Sequence, residues 1–249
     1  MNCLTDAERL LQELGITEPE EIDLEAIAWH VGAKIKRRKL DGCEARIVGA
    51  GDKAIITVNS TSAFVRQQFS IGHEIGHWHY HRGKSLVCRS DEIGGNHSGG
   101  TILERQADKF ASNLLLPNYI LRPYLNQFKK LTFDTIKKTA KSFGTSLPAT
   151  AISLVERGAW PAMLVCHGQT KRKWFSRNAS VADRWFPKDE LHPESNAIGI
   201  LYGNEPDQAT PRKIGGHIWF NCREAYNLNI YEQSMRTMDD DVLSLLIFN

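Results

Sequence analysis

The residues best suited to chemistry lie together, in the segment FSIGHEIGHWHYH that runs from residue 69 to residue 81. This segment contains the pattern H-E-x-x-H, formed by His73, Glu74 and His77. On a helix, residues four apart lie on one face, so His73 and His77 can direct two imidazoles at one metal ion. Glu74 lies at the rim of that face, where its carboxylate can reach a metal-bound water without ligating the metal.

These residue types suit metal-assisted hydrolysis. Neutral imidazoles are good zinc ligands and leave the ion strongly Lewis acidic. The metal lowers the pKa of its bound water from about 16 towards about 7. Glu74 can then act as the general base, taking a proton from the water as it attacks a carbonyl carbon. Because five-residue matches also occur by chance, the pattern needs the right structural context.

Helical context is present on both sides of the motif. Upstream, Thr61–Ser62 can cap a helix of about five turns that carries the motif. Downstream, residues 103–117 (LERQADKFASNLLLP) predict a second helix with a marked apolar stripe. Glu104 lies on the side of that stripe, where a buried carboxylate needs a partner, and a metal would be one. The alternative is that Glu104 pairs with Arg105 or a lysine at the surface. Asp108 can accept a hydrogen bond from the outer nitrogen of a ligand histidine.

The motif and the second helix together resemble the gluzincin metallopeptidases, and more closely the ImmA/IrrE family of bacterial and phage-associated metallopeptidases. The resemblance rests on H-E-x-x-H at 73–77 and on the E-x-x-x-D pattern within ERQADKFASNLLLP. The chain departs from the family with Gly72, where alanine is usual, and with Leu116, where methionine is common. The resemblance is specific over residues 54–117, weaker to Gly158 and thin beyond.

The resemblance implies a zincin-like domain that binds Zn²⁺, or less tightly Mn²⁺, through His73, His77 and Glu104, with Glu74 as the catalytic residue. It also implies a protein substrate, because known members cleave helix-turn-helix repressors at a specific bond. Such cleavage derepresses stress-response or mobile-element genes. The spacing of the residues alone indicates only a metal-dependent hydrolase.

Composition excludes several other classes of protein. The chain has 249 residues, of which 41% are hydrophobic and 24% charged, as in an ordinary globular protein. A net charge of +2 provides no global field that would attract nucleic acid. The sequence contains no run of about 18 apolar residues, so it predicts no membrane span. The five scattered cysteines and an N-terminus unlike a signal peptide predict a cytoplasmic protein.

The N-terminal part predicts helices over residues 5–14 and 19–31, followed by strands over residues 33–39, 44–48 and 53–59. We expect the last of these strands to form the edge of the substrate cleft. An extended peptide could then add to it as an extra strand.

The stretch between the two ligand helices, residues 81–100, is rich in glycine and polar residues. Its length predicts a functional loop, which we interpret as a lid over the cleft. His97 in this lid, Tyr80 and Tyr119 are three candidates for the donor that stabilises the oxyanion of the transition state. The sequence does not choose among them.

Helices over residues 133–143 and 147–158, joined by Gly144-Thr145-Ser146, resemble a helix-turn-helix. Five lysines between positions 129 and 141 give this part a basic bias, so DNA contact is one interpretation. The alternative is a helical pair that only packs on the peptidase domain, because the second helix offers few basic residues.

Beyond Gly158 the pattern changes to strands. They are predicted over residues 162–167, 173–177, 197–202, 213–220 and 242–248. The radiation-response members of the family carry a GAF-like sensor domain at this end. We interpret this stretch either as a shorter relative of that domain or as an unrelated β-rich cap.

The sequence thus predicts an α+β fold in three parts: a zincin-like metallopeptidase domain over 1–128, a helix-turn-helix-like pair over 129–158, and a β-rich sensor or substrate-recognition domain over 159–249. The leading hypothesis is a site-specific metal-dependent endopeptidase that cleaves a helix-turn-helix repressor. The alternative is a DNA-binding or scaffolding transcription regulator with a non-catalytic metal site. A structural zinc usually has four protein ligands, so three ligands beside an intact glutamate favour catalysis.

Overall fold

The chain divides into two compact units, and each contains both helices and strands. The computed structural model describes residues 4–80, 82 and 102–248. One unit comprises Met1–Tyr124 with Ala140–Ser146, and the other comprises Leu125–Thr139 with Leu147–Asn249. The mixture of helices with two sheets confirms the predicted α+β class. The division into three domains stays a prediction.

The elements follow one another in this order. The N-terminal half contains α1 (Asp6–Glu13), α2 (Leu24–His30), β1 (Ala33–Arg38), β2 (Ala45–Ala50), β3 (Lys53–Asn59), α3 (Phe64–Tyr80), α4 (Ile102–Leu115) and α5 (Asn118–Leu125). Next come α6 (Phe133–Phe143), α7 (Leu147–Arg157), β4 (Ala162–His167), β5 (Arg172–Arg177), α8 (Asn196–Tyr202), β6 (Arg212–Gly215), β7 (Asn229–Arg236) and β8 (Val242–Phe248).

Local capping sets where the first helices begin. Thr5 and Glu8 form a reciprocal capping box, in which the Glu8 carboxylate accepts a hydrogen bond from the backbone N–H of Thr5 at 2.9 Å. The single helix expected over residues 19–31 is instead a short 3-10 turn followed by α2. Asp23 causes the break, because its carboxylate accepts from the N–H of Glu25 at 2.8 Å and so starts a new helix.

The three-stranded sheet of the first unit has the order β1-β3-β2. β3 pairs with β1 in parallel and with β2 in antiparallel register. Ile35, Ile56 and Ile47 are register neighbours on the inner face, and Ile56 is fully buried. The expectation that β3 forms an edge is therefore wrong, because both of its sides are hydrogen-bonded. Among the described strands, the outer positions of this sheet belong to β1 and β2.

The second unit is built on a five-stranded antiparallel sheet with the order β5-β4-β8-β7-β6. β4 is buried along its whole length. α7 contacts β4 and β5, whereas α8 contacts β7 and β8. This sheet confirms the predicted β-rich C-terminal part.

Two expectations for the second unit are wrong in detail, and one strand was missed. Residues 197–202 form a helix, because the hydroxyl of Ser195 accepts from the N–H of Ala197 at 3.2 Å and caps it. The strand expected over residues 213–220 ends at Gly215 and continues as a 3-10 turn. β7 was not predicted at all.

Candidate metal centre

The H-E-x-x-H motif lies in α3, where every residue from Ser70 to Trp78 is buried. Trp78 anchors this helix, since its indole N–H donates to the backbone carbonyl of Val31 at 2.7 Å. Gly49 of β2 leaves room for the indole, because a Cβ at that position would lie 2.4 Å from the ring. The motif helix is therefore held against the three-stranded sheet.

A close approach of α3 and α4 brings the remaining site residues to the motif. A Cβ at Gly76 would lie 3.0 Å from the Cβ of Phe110 and 3.1 Å from the Cα of Ala107. A Cβ at Gly72 would lie 3.3 Å from the Cβ of Ala111. Glycine at both positions thus permits the contact between the helices. The four-residue spacing of these glycines is a sequence signal for such an approach, and the motif-based prediction did not use it.

Three donor atoms converge between the two helices. The Nε2 atoms of His73 and His77 lie 2.9 Å apart. The Oε2 atom of Glu104 lies 3.2 Å from Nε2 of His73 and 3.4 Å from Nε2 of His77. Ligand atoms that lie about 2.0–2.2 Å from a tetrahedral zinc ion are about 3.3 Å apart. The three side chains therefore form a buried group with separations that suit a metal ion.

Asp108 orients one of the two imidazoles. Its Oδ1 atom lies 2.8 Å from Nδ1 of His73. This contact places a proton on Nδ1 and leaves the Nε2 atom free to bind a metal. The structure thus places the Asp108 carboxylate beside His73, one of the predicted ligands. The roles of both residues at a metal stay predictions.

The electrostatics of the group favour a positive charge between the carboxylates. Burial disfavours the charged imidazole of His73, but hydrogen bonds with Asp108 and Glu104 outweigh burial and raise the pKa of His73 to about 9. The hydrogen bond with His73 lowers the pKa of Glu104 against the opposing effect of burial. At neutral pH, His73 would have to lose a proton for its Nε2 atom to bind a metal ion.

Glu74 lies beside the ligand group and not within it. Its side chain is fully buried, directly after His73 on α3. Its negative charge contributes to the raised pKa of His73. Among the described residues, the group that could hold a metal ion consists of His73, His77 and Glu104, and Glu74 is not a member of it. A role for Glu74 as the base stays a prediction.

Two of the three candidate oxyanion donors, Tyr80 and Tyr119, bind to different parts of the chain. The hydroxyl of Tyr80 donates to the carboxylate of Asp6 at 2.7 Å. The hydroxyl of Tyr119 donates to the backbone carbonyl of Ile16 at 2.6 Å. His97 lies outside the described residues. A role for any of the three in the transition state stays a prediction.

The α+β fold and the His-His-Glu group on two packed helices are those of a zincin-like metallopeptidase. The family model for peptidase M78, described as the IrrE N-terminal-like domain, matches residues 30–154, half of the chain. The chain belongs to this family, which confirms the predicted resemblance to the ImmA/IrrE metallopeptidases.

The comparison with solved structures is evidence about the fold alone. The structure of a Mycobacterium tuberculosis transcriptional regulator is similar with a TM-score of 0.62 and 14% sequence identity. The similarity covers 97% of this chain and 75% of that chain. A search of curated proteins finds no match. Within the described ranges, no helix combines the length and the apolar character that crossing a membrane requires.

Proposed function

We propose that this chain is a zinc-dependent, site-specific endopeptidase in which His73, His77 and Glu104 bind the metal. The observation that carries this proposal is the convergence of two imidazole nitrogens and one carboxylate oxygen within 3.4 Å of one another. When bound, the metal supplies Lewis-acid polarisation of the scissile carbonyl and of the attacking water.

Glu74 acts as the general base and then as the general acid. Its carboxylate takes a proton from the attacking water and delivers it to the nitrogen of the leaving amine. Asp108 holds the His73 imidazole in the tautomer that binds metal. Three protein ligands leave one position of a tetrahedral site open, as catalytic zinc sites require.

Zinc is the preferred metal in this proposal. Two imidazoles and one carboxylate bind zinc more tightly than manganese, which is the secondary candidate. Membership of a metallopeptidase family supports a metal cofactor of this kind.

The proposed substrate is a helix-turn-helix repressor protein, and the proposed compartment is the cytoplasm. Family membership supports a protein substrate. A role in transcription agrees with the description of the similar structure as a transcriptional regulator. The cysteines of the described residues, Cys43, Cys166 and Cys222, are free, as expected for a reducing compartment.

The second candidate is a DNA-binding or scaffolding regulator whose metal site is non-catalytic. The exposed side chains of Lys137, Lys138 and Lys141 on α6 support it, whereas the description of the similar structure agrees with either candidate. DNA would contact α6 and α7 in that case. This candidate predicts no need for Glu74.

A cleavage assay separates the two candidates. The wild-type chain and Glu74→Gln, each loaded with zinc, are incubated with a candidate helix-turn-helix repressor protein. A single cut by wild type and none by the variant, at equal metal content, is the expected result. If the repressor stayed full-length with both the wild type and the variant, the result would contradict the proposed repressor cleavage.

A further inference from the structure

We infer that the outer face of the three-stranded sheet, the face turned away from α3, binds the phosphate backbone of double-stranded DNA without reading its sequence. This inference goes beyond the proposed peptidase activity and does not depend on it. It also assigns DNA to a surface other than α6 and α7.

The register of the strands defines the outer face. Successive side chains of a strand point to opposite faces of its sheet. Ile35, Ile56 and Ile47 belong to the inner face, where Trp78 of α3 lies against Gly49. The positions that alternate with them form the outer face, which consists of Lys34, Lys36 and Arg38 of β1, Lys53, Ile55, Thr57 and Asn59 of β3, and Arg46, Val48 and Ala50 of β2.

The outer face is open to solvent. Val48 is 69% exposed and its register partner Ile55 is 40% exposed, although both side chains are aliphatic. In contrast, Thr57 is buried, and it lies in register between Lys36 and Arg46, whose long apolar stems can cover it. The charged ends of the long side chains are therefore the groups that a partner would meet first.

The outer face carries several positive charges and no negative one. None of its positions is aspartate or glutamate, and Asp52 lies outside it, in the turn between β2 and β3. In contrast, Arg37 points to the inner face and forms an ion pair with Glu25 of α2. The cations of the outer face are all exposed, and no ion pair joins any of them to a residue that the structure describes; they are Lys34, Lys36, Arg38, Arg46 and Lys53.

The arrangement of these charges suits a phosphate backbone. Lys34, Lys36 and Arg38 occupy alternate positions of one strand, so their neighbouring Cα atoms are about 6.6 Å apart. Arg46 lies two strands away from Lys36, about 9.6 Å across the sheet. Cations spread in this way can each contact a different phosphate and release its counterions. Such contacts hold a duplex in place but carry no sequence information.

Other partners fit this face less well. None of its positions is aromatic, so the bases of a single strand would have no ring to stack on. Interfaces between proteins are depleted in lysine, whereas lysine provides most of the cations here. Membrane-surface sites use larger apolar anchors such as Trp, Phe and Leu, whereas Val48 and Ile55 are short and lie among longer charged side chains. The backbone of a duplex is therefore the partner that the face fits best.

The salt dependence of binding tests the inference on the full chain. A labelled DNA duplex of arbitrary sequence is titrated with protein, and fluorescence anisotropy is recorded at several salt concentrations. If every cation of the face contacts a phosphate, log K should fall against log[salt] with a slope of about −4.5. The affinity should then decrease about 500-fold between about 50 and 200 mM salt. A second duplex of unrelated sequence should bind equally well.

Three triple variants locate the binding surface. The first, Lys34→Gln/Lys36→Gln/Arg38→Gln, should make the slope shallower by about 2.7 and weaken binding at least about tenfold at 0.1 M salt. The second, Lys171→Gln/Arg212→Gln/Lys213→Gln, removes two exposed lysines and one exposed arginine from the second unit and is the matched control. The third, Lys137→Gln/Lys138→Gln/Lys141→Gln, tests α6. We expect the second and third variants to bind as wild type does.

Folding and metal binding are checked on the same samples. The outer face lies on the opposite side of the sheet from the H-E-x-x-H helix, so the first variant should keep the Tm and the zinc content of wild type. If the triple change lowers the Tm, the single variants Lys34→Gln, Lys36→Gln and Arg38→Gln replace it, and each should make the slope shallower by about 0.9. A protein that binds DNA in this way but cuts no repressor would contradict the proposed function alone.

Three results would overturn the inference. The first is an unchanged affinity and slope in the outer-face variants. The second is a loss of DNA binding in the α6 variant, which would assign the duplex to the helical pair. The third is tighter binding to single-stranded DNA, or to vesicles that contain phosphatidylserine, than to the duplex.

Discussion

The Nδ1 atom of His73 lies 2.8 Å from a carboxylate oxygen of Asp108, while Nε2 of the same ring faces His77 and Glu104. The His73 imidazole therefore contacts a carboxylate through one ring nitrogen and faces the two other donor groups through its second ring nitrogen. A ligand histidine oriented in this way loses little freedom when it binds a metal.

Removal of the Asp108 carboxylate should weaken metal binding without removing a ligand. We expect Asp108→Ala to lower zinc affinity by about 10–100-fold, because the His73 ring loses its orientation and part of its basicity. Competition with a chromophoric chelator measures this change. Asp134→Ala, which removes an exposed carboxylate on α6, is the control and should bind zinc as wild type does. Equal affinities for Asp108→Ala and the control would contradict the role of Asp108.

The close approach of α3 and α4 should tolerate no side chain at Gly76. A Cβ there meets backbone atoms of Ala107, which cannot move independently of α4. We expect Gly76→Ala to lower the free energy of unfolding by about 1–3 kcal/mol and to weaken zinc binding. Urea denaturation and chelator competition measure the two effects.

Gly72 provides a graded comparison. We expect Gly72→Ala to lower the free energy of unfolding by less than Gly76→Ala does, because the close contact is with a side-chain atom, the Cβ of Ala111. The additional change Ala111→Gly removes that atom and should relieve the contact. If Gly76→Ala matched wild type in stability and zinc affinity, the packing of the helices would not set the site.

Chelation of the metal should lower thermal stability. A ligand present at about 100 times its Kd stabilises the folded state by about 2.7 kcal/mol. We therefore expect the Tm to fall by several degrees after exhaustive dialysis against a chelator, and to recover when zinc is restored. His77→Ala should show a lower Tm that no longer responds to zinc. An identical Tm with and without zinc would indicate that the group binds no metal in the folded protein.

Alkaline pH should reveal the hydrogen bond of Tyr119. Burial, with the charges of Glu8 and Glu21, raises the pKa of Tyr119 to about 12. The stability from its neutral hydroxyl is complete below the unfolded pKa of about 10 and is lost as pH rises through about 12. Tyr119→Phe should be less stable than wild type at pH 8, by about 0.5–1.5 kcal/mol for the lost hydrogen bond, and the difference should shrink above pH 10. Urea denaturation at pH 8, 10 and 11 tests this trend. A constant difference would rule out the raised pKa.

The site was more predictable than the sheets, because its determinants are local. His73 and His77 are brought together by helical periodicity alone, and Glu104 and Asp108 share one face of a second helix. The apolar stripe of that helix was enough to predict which face packs inward. The distance between the helices was not predicted, since it depends on contacts of Gly76 with residues about 30 positions away.

The order in which the strands pair and the buried polar contacts could not be predicted from the sequence. Nothing local in β3 distinguishes a central strand from an edge strand, because both carry alternating apolar residues. The apolar run at 197–202 fits a strand or a helix, and the cap at Ser195 decides for the helix. β7 was missed because it buries Glu232, whose carboxylate accepts from the indole N–H of Trp219 at 2.9 Å. A charged residue within a strand normally indicates an exposed position.

The most direct test of the central claim measures zinc stoichiometry and peptide-bond cleavage on the same samples of wild type, Glu74→Gln and His77→Ala. We expect one zinc per chain in wild type and Glu74→Gln, little in His77→Ala, and cleavage by wild type alone. Retention of cleavage by Glu74→Gln, or full zinc content in His77→Ala, would contradict a catalytic metal at this site.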